Sequence, residues 1–545
     1  MIRLTALWLV VFAVGIYTWK DWFRGLCGLV LLLGILEYPD VPRSMFGVPG
    51  LNFFNLLLVN VVFAWLAQRR HEGLKWDMPP LVSSLLVVYL FLIFIGWIRL
   101  FRDPAYLEDS STSLVVEYLF NTVKWTIPGM LFFDGCRTRE RLVWATFSFL
   151  GALVFLGLMT IKIMPLGSVL MDGGELQKLA LKLTVSRIGY HRVTLSMMLA
   201  GASWALIAAR PLVDDRRLRL GMLITAGAIL YAQALTGGRG GYVTWGIIGL
   251  IVGLLRWRKV FLAMPVVALA VVLLMPGVVQ RMMDGFITDP YASATVNEYE
   301  ASAGRTAIWP VVIAKIKQEP LIGFGRQGMW RTGVVAYLFT VMNEDFGHPH
   351  NAYLEWLLDN GVLGFIPVML FYLLILYKGF QLFLERRSAA CTAAGGVACA
   401  LVLALMVAGM TSQSFYPIEG TVEMWCAMGL MLRLSVERER ALAMLAQPAG
   451  LKFGTVREAT SLPVDAAAFD ALVLNGAPAL DRRPRTQLPF QPGAQPTFAP
   501  HFSPTAAPAT GAPQFTPRAP AATTGSWQRP RMPIADRSRE RYRFS

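Results

Sequence analysis

His348 and His350 stand either side of a proline in Gly347-His348-Pro349-His350-Asn351-Ala352-Tyr353-Leu354-Glu355, where a long polar segment runs back into an apolar one. An imidazole titrates near neutral pH, so this pair at a water–lipid boundary is a candidate base for a hydroxyl. Arginines recur in comparable settings. Arg239 lies in Thr236-Gly237-Gly238-Arg239-Gly240-Gly241, Arg305 in Ala303-Gly304-Arg305-Thr306, and Arg187 and Arg192 bracket Ile188-Gly189-Tyr190-His191. Glycines let a backbone approach a ligand closely, and a planar guanidinium offers paired donors to phosphate oxygens. Cations around a proton acceptor suit a lipid-anchored diphosphate as leaving group and a hydroxyl as nucleophile, and arginines serve such a leaving group without a divalent ion.

Plainer readings exist for each. Arg239 fits a snorkelling arginine in a tight turn, Arg305 a solvated helix residue, and Arg187 and Arg192 interfacial anchors. The histidine pair fits a metal site or a turn capped by Asn351, but no acid or cysteine cluster at ligand spacing accompanies it, so no metal and no cofactor is expected. Glu344 and Asp345 are near enough in sequence to perturb the imidazoles. Gly323-Phe324-Gly325-Arg326-Gln327-Gly328 matches a dinucleotide fingerprint, yet lacks the strand and βαβ unit that give that motif its meaning, and reads instead as a tight turn.

These residues need a scaffold. With 55% hydrophobic and 16% charged residues, and apolar runs near the roughly 20 residues that cross a bilayer, the chain is an integral membrane protein. Spans are predicted roughly over 4–19, 23–38, 50–67, 81–100, 116–133, 142–162, 193–209, 219–235, 242–255, 260–276, 360–379, 389–410 and 420–434, an all-α polytopic bundle of about 12–13 transmembrane helices. The run from Leu4 is followed by Lys20-Asp21-Trp22 rather than a cleavage site, so it is retained. The formal charge of +15 resides in short loops and in the C-terminal tail, which indicates orientation and contact with membrane lipids, not nucleic acid. Five cysteines without a C-x-x-C pair read as buried thiols.

Basic clusters at Arg69-Arg70, Arg137 to Arg141, Arg216 to Arg219, Arg256 to Lys259 and Arg386-Arg387 fall in alternate loops, which become cytoplasmic. The histidines and Arg187, Arg192, Arg239 and Arg305 then share the opposite face, with an odd span count putting the N-terminus there too. The loop 277–349 is too long for a turn and should carry helices of its own, beginning with 305–316. Residues 1–440 form the membrane domain. From 441 to 545 the chain turns rich in Pro, Ala, Thr and Arg without apolar periodicity, a disordered basic cytoplasmic tail.

The Gly-Gly-Arg239-Gly-Gly turn, Gly304-Arg305 with Trp309, Pro320 with Gly323-Phe324-Gly325, and His348-Pro349-His350-Asn351-Ala352-Tyr353-Leu354, in this order, resemble the O-antigen ligase and polymerase superfamily over about residues 187–375. The resemblance implies a metal-independent bacterial inner-membrane glycosyltransferase, GT-C-like in architecture. It would take a glycan from undecaprenyl diphosphate on the periplasmic side to a lipid A core sugar, a growing glycan or a protein hydroxyl. It further implies that Arg239 and Arg305 hold the diphosphate, that His350 is the base and His348 orients it, and that Arg187 or Arg192 assists. Surface-polysaccharide ligase is the leading expectation, with polymerase and protein O-oligosaccharyltransferase sharing its motifs. A flippase of lipid-linked sugars, or a non-catalytic assembly partner, are readings from other classes.

Overall fold

A computed structural model describes residues 2–45, 47–48, 50–104, 110–283, 304–343, 346–411, 414–445 and 466–475. In chain order the helices are α1 (Ile2–Thr18), α2 (Trp22–Leu36), α3 (Phe53–Arg69) and α4 (Pro80–Arg102), then a helical run over 111–135, here α5, and α6 (Arg139–Ile163). They continue with α7 (Gly173–Arg187), α8 (Arg192–Ala209), α9 (Arg216–Leu235), α10 (Arg239–Leu255), α11 (Val260–Leu274), α12 (Pro276–Met283) and α13 (Arg305–Ile316). The last are α14 (Gly328–Arg331), α15 (Val334–Val341), α16 (Ala352–Phe383), α17 (Ala389–Ala408), α18 (Val422–Leu445) and α19 (Ala466–Asn475). No strand occurs among the described residues, only a bridge between Met45 and Val48. The protein is a polytopic helical membrane protein.

Side-chain caps start many of these helices. Asp21, Asn52, Thr138, Asp215 and Ser388 each accept from the first-turn amides of α2, α3, α6, α9 and α17, which satisfies donors that a helix leaves open. The centre of the bundle is α8 with α17, the most enclosed of the long apolar helices. Both are rich in Ala, with two Ser and Gly201 in α8 and the Gly395-Gly396 pair in α17, and a Cβ on Gly201 would come within 3.0 Å of Ala404 and Leu401. Small residues let backbones approach where lipid supplies no hydrophobic drive between helices.

Among the described residues six helices are long and apolar enough to cross a membrane, α4, α6, α8, α9, α16 and α17, or seven if α11 and α12, bent by 104°, are one span. This is fewer than the about 12–13 expected from hydropathy. α1, α2, α3 and α10 are apolar but only 15–17 residues long. α5 carries a π-turn (Val116–Phe120) and a 3-10 turn (Lys124–Thr126), which a windowed hydropathy reading averages away. α18 buries charged Arg433 and Glu437 within its length.

The stretch from 441 also departs from expectation. α18 runs on to Leu445, and α19 lies on the bundle with Phe469 fully buried, Arg387 over its ring at 4.4 Å, and Asp470 accepting from Ser388. A ten-residue apolar patch inside a biased composition is enough to dock against a preformed surface. The basic residues from Arg529 to Arg543 lie outside the described residues.

Candidate functional site

The long loop folds into α13, α14 and α15, which share a small core of Ile308, Val312, Met329, Val334 and Leu338 seated on Leu358 of α16. α13 begins and ends where the sequence predicts. Helix α16 is broken at Gly361, where φ is +61°, and the loop repairs the break. Phe324 and Gly325 donate to the carbonyls of Leu358 and Asp359 at 2.8 and 2.6 Å, while Val362 and Leu363 donate to Pro320 and Leu321 at 2.9 and 3.1 Å. The G-x-G-x-x-G stretch is thus a backbone splint, not a nucleotide site. Arg99 of α4 clamps it from the other side, donating to Ile322 and Gly323 at 2.9 and 2.6 Å.

This splint fixes the turn that carries the histidines. Asn351 caps α16, accepting from Tyr353 and Leu354 at 3.0 and 3.2 Å. The Ala352 amide donates to Gly409 at 2.7 Å and the Tyr353 hydroxyl to Met406 at 2.8 Å, tying the turn to the end of α17. Trp309 of α13 donates to the Pro349 carbonyl at 3.0 Å. His350 adopts φ of +50°, a left-handed conformation that costs a non-glycine residue about 1–2 kcal/mol. The strain is held because the His350 amide donates to His348 Nδ1 at 3.1 Å, with the two rings 3.9 Å apart. Phe346 meets His350 edge-on at 5.3 Å.

Arg192, Arg239 and Arg305 are each the first residue of a helix, α8, α10 and α13, and the mutual fields of these arginines and the histidines put them in one neighbourhood. A cation at a helix N-terminus opposes the helix dipole, so helix stability does not explain three of them. The same dipoles and open amides attract an anion. Arg239 is set by its glycines. Gly237 takes φ of +63°, and a Cβ on Gly238 or Gly241 would collide with Ser196, and one on Gly240 with Thr411. Arg192 braces the turn by donating to the Gly237 carbonyl at 3.0 Å. The Arg305 Nε is buried and meets no hydrogen-bond acceptor among the described residues.

The imidazoles are shaped by this company. Burial, then the neighbouring His348, Arg305 and His191, pushes His350 down to about 3. Burial, then His191 and Arg305, pushes His348 down to about 4. Both are therefore neutral at ordinary pH and able to accept a proton. Burial and Arg239 also lower Arg305 from its usual value.

Of the residues singled out from sequence, His348, His350, Arg192, Arg239 and Arg305 come together. Arg187 does not: it is exposed at the end of α7. Glu344 and Asp345 lie outside the described residues. His191, which had no role of its own, joins the group as the cap of α8, accepting from Val193 at 3.4 Å. Its position one residue before a helical arginine was the available signal. Arg281 on α12 completes the cationic patch beside Arg192. Arg326 lies 3.3 Å over the Tyr416 ring near Glu355 and Asp359. Asp359 accepts from Gly328 at 2.8 Å and from Tyr416 at 2.9 Å, a brace between loop and helix. Among the described residues no group of three His, Cys, Asp or Glu side chains is placed to share a metal ion.

Fold and site define a polytopic helical membrane protein with a cationic, imidazole-bearing cluster at one end of its bundle. Residues 220–369 match the family model described as O-Antigen ligase. The matched stretch holds Arg239, Arg305, His348 and His350, whereas Arg187, His191 and Arg192 precede it. None of the curated proteins matches the chain.

Proposed function

We propose that the protein transfers a glycan from undecaprenyl diphosphate to an acceptor hydroxyl on the periplasmic face of a bacterial inner membrane, as a surface-polysaccharide ligase. The observation that carries this reading is the gathering of Arg192, Arg239 and Arg305, each at a helix N-terminus, around His348 and His350. His350 takes the proton of the acceptor hydroxyl. The hydroxyl oxygen then bonds to the anomeric carbon as the bond from that carbon to the diphosphate oxygen breaks, and the electron pair leaves with the diphosphate. Arg239 and Arg305 stabilise the departing charge by paired hydrogen bonds, and the imidazolium returns its proton to solvent. His348, hydrogen-bonded to the His350 amide, orients the turn. Neither step needs a metal.

A low proton affinity in the empty site is consistent with this role. A bound diphosphate offsets the field of Arg305, which raises the affinity of His350 for a proton at the moment the acceptor must lose one. In this orientation the end bearing Arg137, Arg256 and Arg387 faces the cytoplasm, together with the tail. Repeat-unit polymerase and protein O-oligosaccharyltransferase use the same chemistry on other acceptors.

The test compares glycans of a deletion strain carrying wild-type protein or His350→Ala at equal membrane abundance. Long polymer accumulating on undecaprenyl diphosphate with His350→Ala supports a ligase, and single repeats a polymerase. Full restoration by His350→Ala overturns the assignment of the base.

A further inference from the structure

One cavity lies beside the cationic cluster rather than within it. It is a half-open cleft of ≈ 840 Å³ at the site end of the bundle, between α1, α2 and α6. Leu4 and Leu7 line one wall, Ile35 the second, Phe155 and Met159 the third, and Ile188 closes the end. Its volume falls within the roughly 300–1,000 Å³ typical of ligand sites. The lining is apolar apart from Tyr38 and Asp40, and Asp40 is exposed at the rim.

Two features join this cleft to the site already described. Ile188 is followed by Gly189-Tyr190-His191-Arg192, so at most about 14 Å of extended chain separates the cleft from the first arginine of the pocket. The link is also fixed in place. Gly189 sits against the Glu37 carbonyl so closely that a Cβ would collide with it, and this binds the link to the same end of α2 that supplies Ile35 and Tyr38.

We propose that this cleft holds the isoprenoid chain of a prenyl diphosphate, its first isoprene units lying between Phe155 and Ile188 while the diphosphate reaches Arg192 and Arg239. The inference rests on the proposed function, since it names where the lipid of that donor lies. The order of surfaces selects this occupant: an apolar trough leads within a few residues to clustered cations, and a prenyl diphosphate joins its apolar chain directly to its charge. An acceptor glycolipid carries sugars between its chains and the reacting hydroxyl, which is too long a spacing for this junction.

The experiment uses the full-length protein in phospholipid vesicles, with benzophenone side chains introduced singly at Met159, at Leu4, and at Leu262 as a control exposed on α11. Labelled undecaprenyl diphosphate should crosslink at positions 159 and 4 at least fivefold more than at 262. Unlabelled undecaprenyl diphosphate should compete, and excess phosphatidylglycerol should not. Equal labelling at 262, or equal competition by phosphatidylglycerol, makes the cleft an ordinary lipid-filled surface and overturns the proposal.

A second arm narrows the cleft with Leu4→Trp and Met159→Trp together. Half-saturation by undecaprenyl diphosphate should rise about tenfold while inorganic diphosphate binds as before. Unchanged binding of both, or parallel loss of both, counts against the cleft. If wild-type protein binds neither probe, the proposed function itself fails. If it binds both and only the cleft variants behave as wild type, the function stands and this inference falls.

Discussion

Two clusters of arginines, one at each end of the bundle, use charge in opposite ways. At the end away from the histidines, arginines are matched to acids. Arg433 is fully buried, donating to Asp77 at 3.0 Å, to Glu437 at 3.1 Å and to the Phe133 carbonyl at 2.8 Å. Arg69 and Trp65 both donate to the buried Asp134, and Arg387 and Arg438 converge on Glu385. At the site end, Arg192, Arg239, Arg281 and Arg305 lie among one another and among neutral imidazoles. Paired charges fasten helices, since each partner offsets the other's desolvation. Like charges gathered at helix N-termini raise the free energy of the empty protein and lower it again when an anion arrives. Structure and binding are thereby separated by position along the bundle.

Substitutions at the two ends should separate the same way. His350→Ala is expected to lower transfer by about 10²- to 10⁴-fold, the usual contribution of a positioned base, with thermal stability and membrane abundance unchanged. Arg433→Ala should do the reverse. Removing one partner of a buried pair costs about 3–5 kcal/mol, so the protein should melt earlier in detergent while the fraction still folded transfers normally. A stable Arg433→Ala protein lacking activity would break the division between ends.

Arg239→Lys keeps the charge and loses the paired donors. It should impair transfer beyond roughly tenfold without a change in melting temperature. Wild-type turnover in this variant would remove the diphosphate role.

Acidification should also resolve the ends, in different windows. Lowered imidazoles bind fewer protons folded than unfolded, so His348 and His350 withdraw stability as pH falls below their ordinary value near 6.5 and down towards about 4 and about 3. At the other end burial acts to raise Asp77, but the hydrogen bond and charge of Arg433 outweigh it and hold the carboxyl at about 2. Its stabilisation is fully present above about pH 4 and lost as pH falls through about 2. Melting temperature measured against pH should therefore fall in two stages, and His348→Ala/His350→Ala should flatten only the upper one. In kinetics, the acid limb of kcat/KM should lie well below pH 6.5, and that of kcat above it, because bound diphosphate offsets Arg305.

The smallest effect is expected at the brace. Trp309→Phe removes the hydrogen bond to Pro349, worth about 1 kcal/mol, and should lower transfer severalfold without altering the pH limb.

Much of this was legible in the chain itself. Apolar runs identified a polytopic helical protein, because in a bilayer only helices satisfy every backbone group within one segment. Glycines flanking Arg239 and the spacing of His348, Pro349, His350 and Asn351 marked the turns on which the candidate site is built, since such turns demand particular residues locally. Other features depend on partners far away in sequence. The break at Gly361 is tolerable only because Pro320 to Gly325 satisfies its backbone, and hydropathy alone gave no sign of it. The docking of Phe469 within a tail of disordered composition, and the interruption of α5, likewise required the neighbouring helices. Charge patterning placed Arg187 and Arg192 together because they are five residues apart, yet Arg187 is exposed while Arg192 lies among Arg281 and Arg239, since a helix ends between them and the chain takes a positive φ at Gly189. Local sequence determined which residues could bind an anion or take a proton. Tertiary packing decided which of them share one space, because a like-charged cluster forms only where the rest of the fold is stable enough to hold it.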